Sequence, residues 1–194
     1  MINLPNLLSI FRILLVPLLV VILLTKFDGK EFYGLAVFLL ASLTDFLDGF
    51  IARRQQKVTR LGKLLDPAAD KILTSAAFIS LVELGVAPAW MVVVIIAREF
   101  AVSALRSMAA AEHVVIAATL AGKVKTALQI IAIALLIFYN QLGEFGHLAP
   151  LSLWLAMLIS VYSGLEYFVR YTPLIVRGAQ GMSGSAASNR DREH

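Results

Sequence analysis

The sequence predicts an all-α integral membrane protein with six transmembrane helices and both termini on the cytoplasmic side. Three observations predict it. Of the 194 residues, 59% are hydrophobic and 15% charged, against about 45–50% and about 25% in an ordinary soluble domain. Apolar stretches near the length needed to cross a bilayer, about 20 residues, recur six times. Finally, the breaks between those stretches alternate in their content of Lys and Arg, with Lys26 and Lys30 in the first break, beside Asp28 and Glu31, as the minor exception.

The stretches run roughly Asn6–Thr25, Phe32–Ala52, Leu61–Val82, Pro88–Ala111, Leu120–Tyr139 and Leu148–Tyr171. The first starts too early and holds Arg12 and Pro17, with no small-residue cleavage site after it, so it reads as a membrane helix and not a cleaved signal. Gly, Pro or charge punctuates most of the breaks. The break after the second stretch is strongly basic (Arg53, Arg54, Lys57, Arg60, Lys63), and the next carries Glu83 and no cation. Arg106, Lys123 and Lys125 flank the fourth break; the fifth has Glu144 and no cation; Arg170 and Arg177 flank the C-terminal side. Cations collect on cytoplasmic sides, which orients the bundle. Residues 1–176 form one membrane domain on this reading. Residues 177–194, rich in Gly, Ser and Ala, read as a disordered polar tail. The net charge of +4 is then topology information, and no nucleic-acid partner is expected. No cysteine is present, which excludes disulfides, thiolate nucleophiles and Cys-based metal sites.

Four aspartates, Asp45, Asp48, Asp66 and Asp70, fall within 26 residues. Asp45 and Asp48 are spaced i,i+3 and Asp66 and Asp70 i,i+4, so each pair shares a helix face. Asp48 lies five residues before Arg53, and Asp66 five after Leu61. At about 1.5 Å per residue both are roughly 7.5 Å from the cytoplasmic ends of neighbouring helices. Ionised carboxylates brought together there repel, and each is costly to bury. They protonate or bind cations. Oxygen ligands without His or Cys suit Mg²⁺ or Mn²⁺, and four carboxylates can hold two such ions about 3.5–4 Å apart, as in phosphoryl-transfer sites. The plainer reading pairs the aspartates with Arg53, Lys63 and Lys71 as helix-end ion pairs. Four convergent aspartates make it the weaker one.

In full the segment reads Asp45-x-x-Asp48-Gly49-x-x-Ala52-Arg53, eight residues, then Gly62-x-x-x-Asp66-x-x-x-Asp70. It resembles the complete signature of the CDP-alcohol phosphotransferase family. Gly49, Ala52 and Gly62 remove side-chain bulk where a nucleotide has to approach the backbone, although small residues also serve ordinary helix packing. Arg53 suits a diphosphate. The resemblance implies that the four aspartates hold two divalent cations, that Asp70 also acts as general base, and that Thr59 contacts the CDP group.

Two further segments resemble the members of that family whose acceptor is glycerol 3-phosphate. One is Leu4-Pro5-Asn6-x-x-Ser9-x-x-Arg12, whose Asn6 and Ser9 are expected to meet the nucleotide; Arg12 either serves a phosphate or snorkels to the interface. The other is Arg98-Glu99-Phe100-Ala101-Val102-Ser103-Ala104-Leu105-Arg106 with Gly122-Lys123-Val124-Lys125-Thr126-Ala127-x-Gln129. A cation as deep as Arg98 is costly unless it serves an anion, and Glu99 orients or neutralises it. Arg98, Arg106, Lys123 and Lys125 are expected to form a pocket for the acceptor phosphate, with Lys123 and Lys125 otherwise simple positive-inside anchors. Aromatics including Trp90, Trp154, Tyr162 and Tyr167 are read as interfacial belts.

The resemblance thus implies a phosphatidyltransferase of the bacterial inner membrane. It would act on CDP-diacylglycerol and glycerol 3-phosphate as a multi-pass homodimer with a cytoplasmic active site and membrane lipid around it. Inositol phosphate, serine or phosphatidylglycerol are the alternative acceptors. A divalent-cation transporter is the alternative of another class, but it would place its carboxylates near the midplane on broken, pseudo-symmetric helices.

Overall fold

The computed structural model describes the backbone of residues 4–55, 60–111 and 119–190, and the side chains of residues 7–44, 68–111 and 119–172. Within them the chain is all helical: α1 (Leu4–Leu24), α2 (Lys30–Gln55), α3 (Arg60–Glu83), α4 (Ala89–Ala111), α5 (Leu120–Ile137) and α6 (Leu148–Arg190). Two short 3₁₀ turns, Tyr139–Gln141 and Gly143–His147, join α5 to α6. Each helix coincides with one of the six apolar stretches to within a few residues. The exception is α6, which continues past Tyr171; the tail boundary at 177 falls where side chains lie outside the described residues.

The breaks have local causes. Gly85 has φ +73°, a left-handed conformation that glycine adopts without a Cβ clash. Its N–H reaches Val82 O at 2.9 Å, and Val86 N reaches Leu81 O at 3.1 Å. This double closure is a Schellman motif, and it ends α3 two residues before Ala87 enters the core. At the other end, the Thr119 hydroxyl accepts a hydrogen bond from Gly122 N at 3.1 Å and caps α5, satisfying a donor the helix cannot.

Among the described residues, three segments are long and apolar enough to cross a membrane by themselves: Leu7–Leu24, Leu120–Ile137 and Gly143–Thr172. The remaining helices have comparable length but carry more charged residues, such as Lys30, Glu31, Asp45, Asp48, Arg53 and Arg54 in α2. In α4, Arg98, Glu99 and Arg106 interrupt an otherwise apolar run. Large apolar side chains point outward along most of the bundle, among them Leu14 (65% exposed), Ile79, Val93, Leu158 and Val169 (76%). Such a continuous apolar exterior marks a membrane surface.

The helices pack in two groups. α1 lies along both α2 and α3, and α6 lies along both α4 and α5; α2 and α3 join the groups through α5 and α4. The interior is divided lengthwise. At one end every helix contributes to an apolar core: Leu19 and Leu23, Phe38, Leu73 and Phe78, Met91 and Ile95, Ile133 and Leu136, Leu153. The other end buries polar and charged side chains: Ser9, Arg12, Lys125, Gln129, Ser160 and Ser163. On α1 one inward stripe passes from polar to apolar through Ser9, Arg12, Val16, Leu19 and Leu23, at the i,i+3,i+4 spacing of a single helix face. Burying Arg12 and Lys125 costs several kcal/mol each unless anionic or hydrogen-bonding groups meet them, so this half of the bundle is where chemistry is to be sought.

Candidate active site

The aspartate signature occupies the C-terminal turns of α2 and the N-terminal turns of α3, either side of residues 56–59. Asp45 and Asp48 belong to α2, and Asp66 and Asp70 to α3, with α1 packed against both helices. The side chains of Asp45, Asp48, Gly49, Ala52, Arg53, Gly62 and Asp66, and that of Asn6, lie outside the described residues, as does Thr59 altogether. Asp70 is described and half-buried; its backbone carbonyl accepts the Thr74 hydroxyl at 3.0 Å. Ser9 and Arg12 are both fully buried. Arg12 therefore does not snorkel outward; it faces the interior of the polar half.

The second expected segment builds a charged cluster across three helices. Glu99 Oε1 accepts Arg98 NH1 at 3.0 Å and Lys125 Nζ at 2.6 Å, and Gln129 Nε2 donates to the same oxygen at 3.4 Å. Arg98 NH2 donates to Ser163 Oγ on α6 at 2.6 Å. Arg98, Glu99 and Lys125 expose only 11%, 13% and 8% of their side chains. Two cations share one carboxylate, leaving the trio at +1 − 1 + 1 = +1. Arg98 Nε makes no hydrogen bond among the described residues. Gly164 makes this placement possible, because a Cβ there would lie 2.9 Å from Arg98 Cγ.

Arg106 joins a different partner. Its NH2 donates to Tyr167 Oη at 2.9 Å, and its guanidinium lies 5.1 Å from the Tyr167 ring centroid, an attractive cation–π arrangement. The same hydroxyl accepts Thr119 N at 3.1 Å. Tyr167 is 2% exposed. It is no belt residue, in contrast to Trp90, Trp154 and Tyr162, which are exposed as expected. Lys123 is exposed on the first turn of α5 and makes no ion pair among the described residues. The four expected cations thus divide: Arg98 and Lys125 meet on Glu99, Arg106 sits on Tyr167, and Lys123 stands on the surface beside them.

Lys71, next to Asp70 in sequence, is half-buried on α3, and α3 packs against α4 and α5, which carry the basic cluster. The described end of the carboxylate signature and the basic cluster therefore lie on packed helices. Sequence reasoning missed Ser163, read Tyr167 as an interfacial aromatic and gave Gln129 no role of its own; all three are polar residues on faces that turn inward.

The bundle carries paired aspartates in sequence near adjacent ends of α2 and α3 and a buried basic cluster on α4 and α5, a combination suited to a membrane-embedded enzyme of phosphate esters, and the family comparison agrees. Residues 2–162 match the family model of CDP-alcohol phosphatidyltransferase, and the chain belongs to that family. It is 46% identical over 183 residues to the CDP-diacylglycerol–glycerol-3-phosphate 3-phosphatidyltransferase of Bacillus subtilis (strain 168), covering 87% of this chain and 94% of that protein. Proteins of the same name from Rickettsia bellii (strain RML369-C) and Haemophilus influenzae (strain ATCC 51907 / DSM 11121 / KW20 / Rd) are 36% and 34% identical. They cover 86% and 85% of this chain and 93% and 91% of their own length.

Proposed function

We propose that this chain transfers the phosphatidyl group of CDP-diacylglycerol to glycerol 3-phosphate, releasing CMP, at the polar end of the bundle. The observation that carries the reading is the buried Arg98–Glu99–Lys125 cluster with its single net positive charge, on helices packed against α3, which bears Asp70 of the aspartate signature. A surplus cation buried in a membrane protein calls for an anion, and a phosphorylated acceptor supplies one. Serine carries no phosphate, so the cluster speaks against it as acceptor. The likeness to three relatives that bear the glycerol-3-phosphate name over most of their length supports this acceptor over inositol phosphate and phosphatidylglycerol.

Asp45, Asp48, Asp66 and Asp70 fit two divalent cations, Mg²⁺ or Mn²⁺, because they are carboxylates at adjacent helix ends, paired at i,i+3 and i,i+4. Bound there, the ions supply neutralisation of the diphosphate and of the charge developing on the transferred group. Arg98, Arg106, Lys123 and Lys125 bind the acceptor phosphate and set the direction of the 1-hydroxyl of glycerol 3-phosphate. Asp70 takes the proton from that hydroxyl. The oxygen then attacks the phosphorus that carries diacylglycerol; the new P–O bond forms as the bond to CMP breaks, and CMP leaves with the electron pair. Gly49, Ala52 and Gly62 leave room for the cytidine, while Asn6, Ser9, Arg53 and Thr59 contact the nucleotide. Arg98 inside the bundle also keeps the acceptor away from lipid.

The same reading gives six membrane spans, cytoplasmic termini and active site, a bacterial inner-membrane location and a homodimer. The test is CMP release by purified protein in detergent micelles with CDP-diacylglycerol and Mg²⁺, comparing glycerol 3-phosphate, serine and inositol 1-phosphate. Turnover with glycerol 3-phosphate alone is expected. Turnover with another acceptor instead would remove the assignment of the basic cluster.

A further inference from the structure

Tyr167 occupies a position that neither the aspartate signature nor the cation set accounts for. It lies on α6 and is 2% exposed, and its hydroxyl accepts two N–H donors from elements far apart in sequence. One is Arg106 NH2 at 2.9 Å, from the last turns of α4; the other is the Thr119 backbone at 3.1 Å, at the start of α5. The Tyr167 ring lies under the Arg106 guanidinium at 5.1 Å and stacks on Tyr171 at 5.8 Å. Thr119 in turn caps the helix turn that carries Lys123 and leads to Lys125. At Gly122 a Cβ would come within 3.4 Å of the Tyr167 hydroxyl, so that turn of α5 approaches closely. One oxygen therefore fixes an Arg on α4 relative to the lysine-bearing turn of α5.

We propose that Tyr167 is a positioning residue for acceptor binding: through its hydroxyl and ring it holds the Arg106 guanidinium against the start of α5 and so sets the affinity for the phosphorylated acceptor. The inference rests on the reading that Arg106 binds the acceptor phosphate. An arginine on a long flexible stem gains little by way of a fixed geometry on its own. Held on two sides, it meets the phosphate without first having to be ordered. Tyr167 does not reach the reacting atoms and takes no part in proton transfer.

The test is steady-state kinetics on the full chain in detergent for four proteins: the parent, Tyr167→Phe, Arg106→Gln and the double variant. Phenylalanine keeps the ring and removes only the hydroxyl. Expected for Tyr167→Phe is a roughly tenfold rise in KM for glycerol 3-phosphate, the scale of one hydrogen bond to a charged group, with kcat and the KM for CDP-diacylglycerol within about twofold of the parent. In the Arg106→Gln background the same change is expected to add nothing further, because both variants then remove one interaction. A lone rise for Arg106→Gln, with Tyr167→Phe like the parent, overturns the positioning role and leaves the acceptor site standing. Additive effects in the double variant overturn it too, since Tyr167 would then act through something other than Arg106. An unchanged acceptor KM in Arg106→Gln removes the acceptor-site reading itself, and the inference falls with it.

Discussion

Lys125 Nζ and Glu99 Oε1 meet at 2.6 Å inside the bundle, joining α5 to α4. These two helices pack mainly through α6, which lies along both, and the ion pair links them directly. Arg98 and Gln129 converge on the same oxygen. Truncating the shared acceptor leaves two buried cations uncompensated. Glu99→Gln is therefore expected to cost about 3 kcal/mol or more, read as a fall of roughly 6–12 °C in the apparent Tm in detergent. Adding Lys125→Met removes one of the stranded charges, so the double variant is expected to be no less stable than Glu99→Gln alone. If the two changes simply add, the pair is not coupled in the way the geometry describes.

Gly164 tests the same cluster from the α6 side. A Cβ there would lie 2.9 Å from Arg98 Cγ and 3.3 Å from Nε. Gly164→Ala is expected to destabilise by about 1–3 kcal/mol, the usual cost of overpacking, and to raise the KM for glycerol 3-phosphate as Arg98 shifts. Gly34→Ala is the control. Its Cβ would meet Leu23 Cδ2 at 2.6 Å in the apolar half, so stability is expected to fall with the acceptor KM unchanged. A similar KM effect from both variants would show that loss of stability alone, and not displacement of Arg98, alters binding.

These contacts show where the sequence is readable and where it is not. The six helices are legible because each is an apolar run of membrane length, closed by local chemistry such as Gly85 or Thr119. The depth of Arg98 and the need for a partner follow from its place in α4, and Glu99 beside it is the partner. Lys125 and Ser163 are not legible as the other contacts, since tertiary packing alone brings residues from α5 and α6 to one point. Tyr167 is misread as an interfacial aromatic because composition does not say which way a ring faces. A signal was present: Ser160, Ser163, Gly164, Tyr167 and Tyr171 recur at i,i+3,i+4 spacing and form the inward stripe of α6. Small and polar residues on one face of a membrane helix mark a packed interface.

Topology is directly testable because the chain has no cysteine. Single cysteines placed at Glu83, the last residue of α3, and at Lys123, at the start of α5, are expected to report opposite sides of the membrane. In right-side-out bacterial spheroplasts an impermeant maleimide is expected to label Glu83→Cys, and to label Lys123→Cys only after permeabilisation. Both positions are exposed. Labelling of both in intact cells would refute the six-span arrangement with a cytoplasmic polar end.

Asp70 carries the sharpest prediction about the reaction. It is half-buried on α3, the helix that packs against α4 and α5, and it is assigned both proton abstraction and a share of the divalent ions. Asp70→Asn keeps the shape of the side chain but has no basic oxygen to receive the acceptor proton. A loss of general-base catalysis reduces turnover by about 10²–10⁴-fold, so kcat is expected to fall at least 10²-fold. Binding of CDP-diacylglycerol, followed by ligand-induced thermal stabilisation, is expected to persist, because three aspartates and the nucleotide contacts remain. Excess chelator is expected to stop the parent enzyme reversibly, with activity restored by Mg²⁺ or Mn²⁺. The two experiments separate the assigned roles. Near-normal kcat in Asp70→Asn would remove the base, whereas undiminished turnover in chelator would remove the ions and leave the base to act alone.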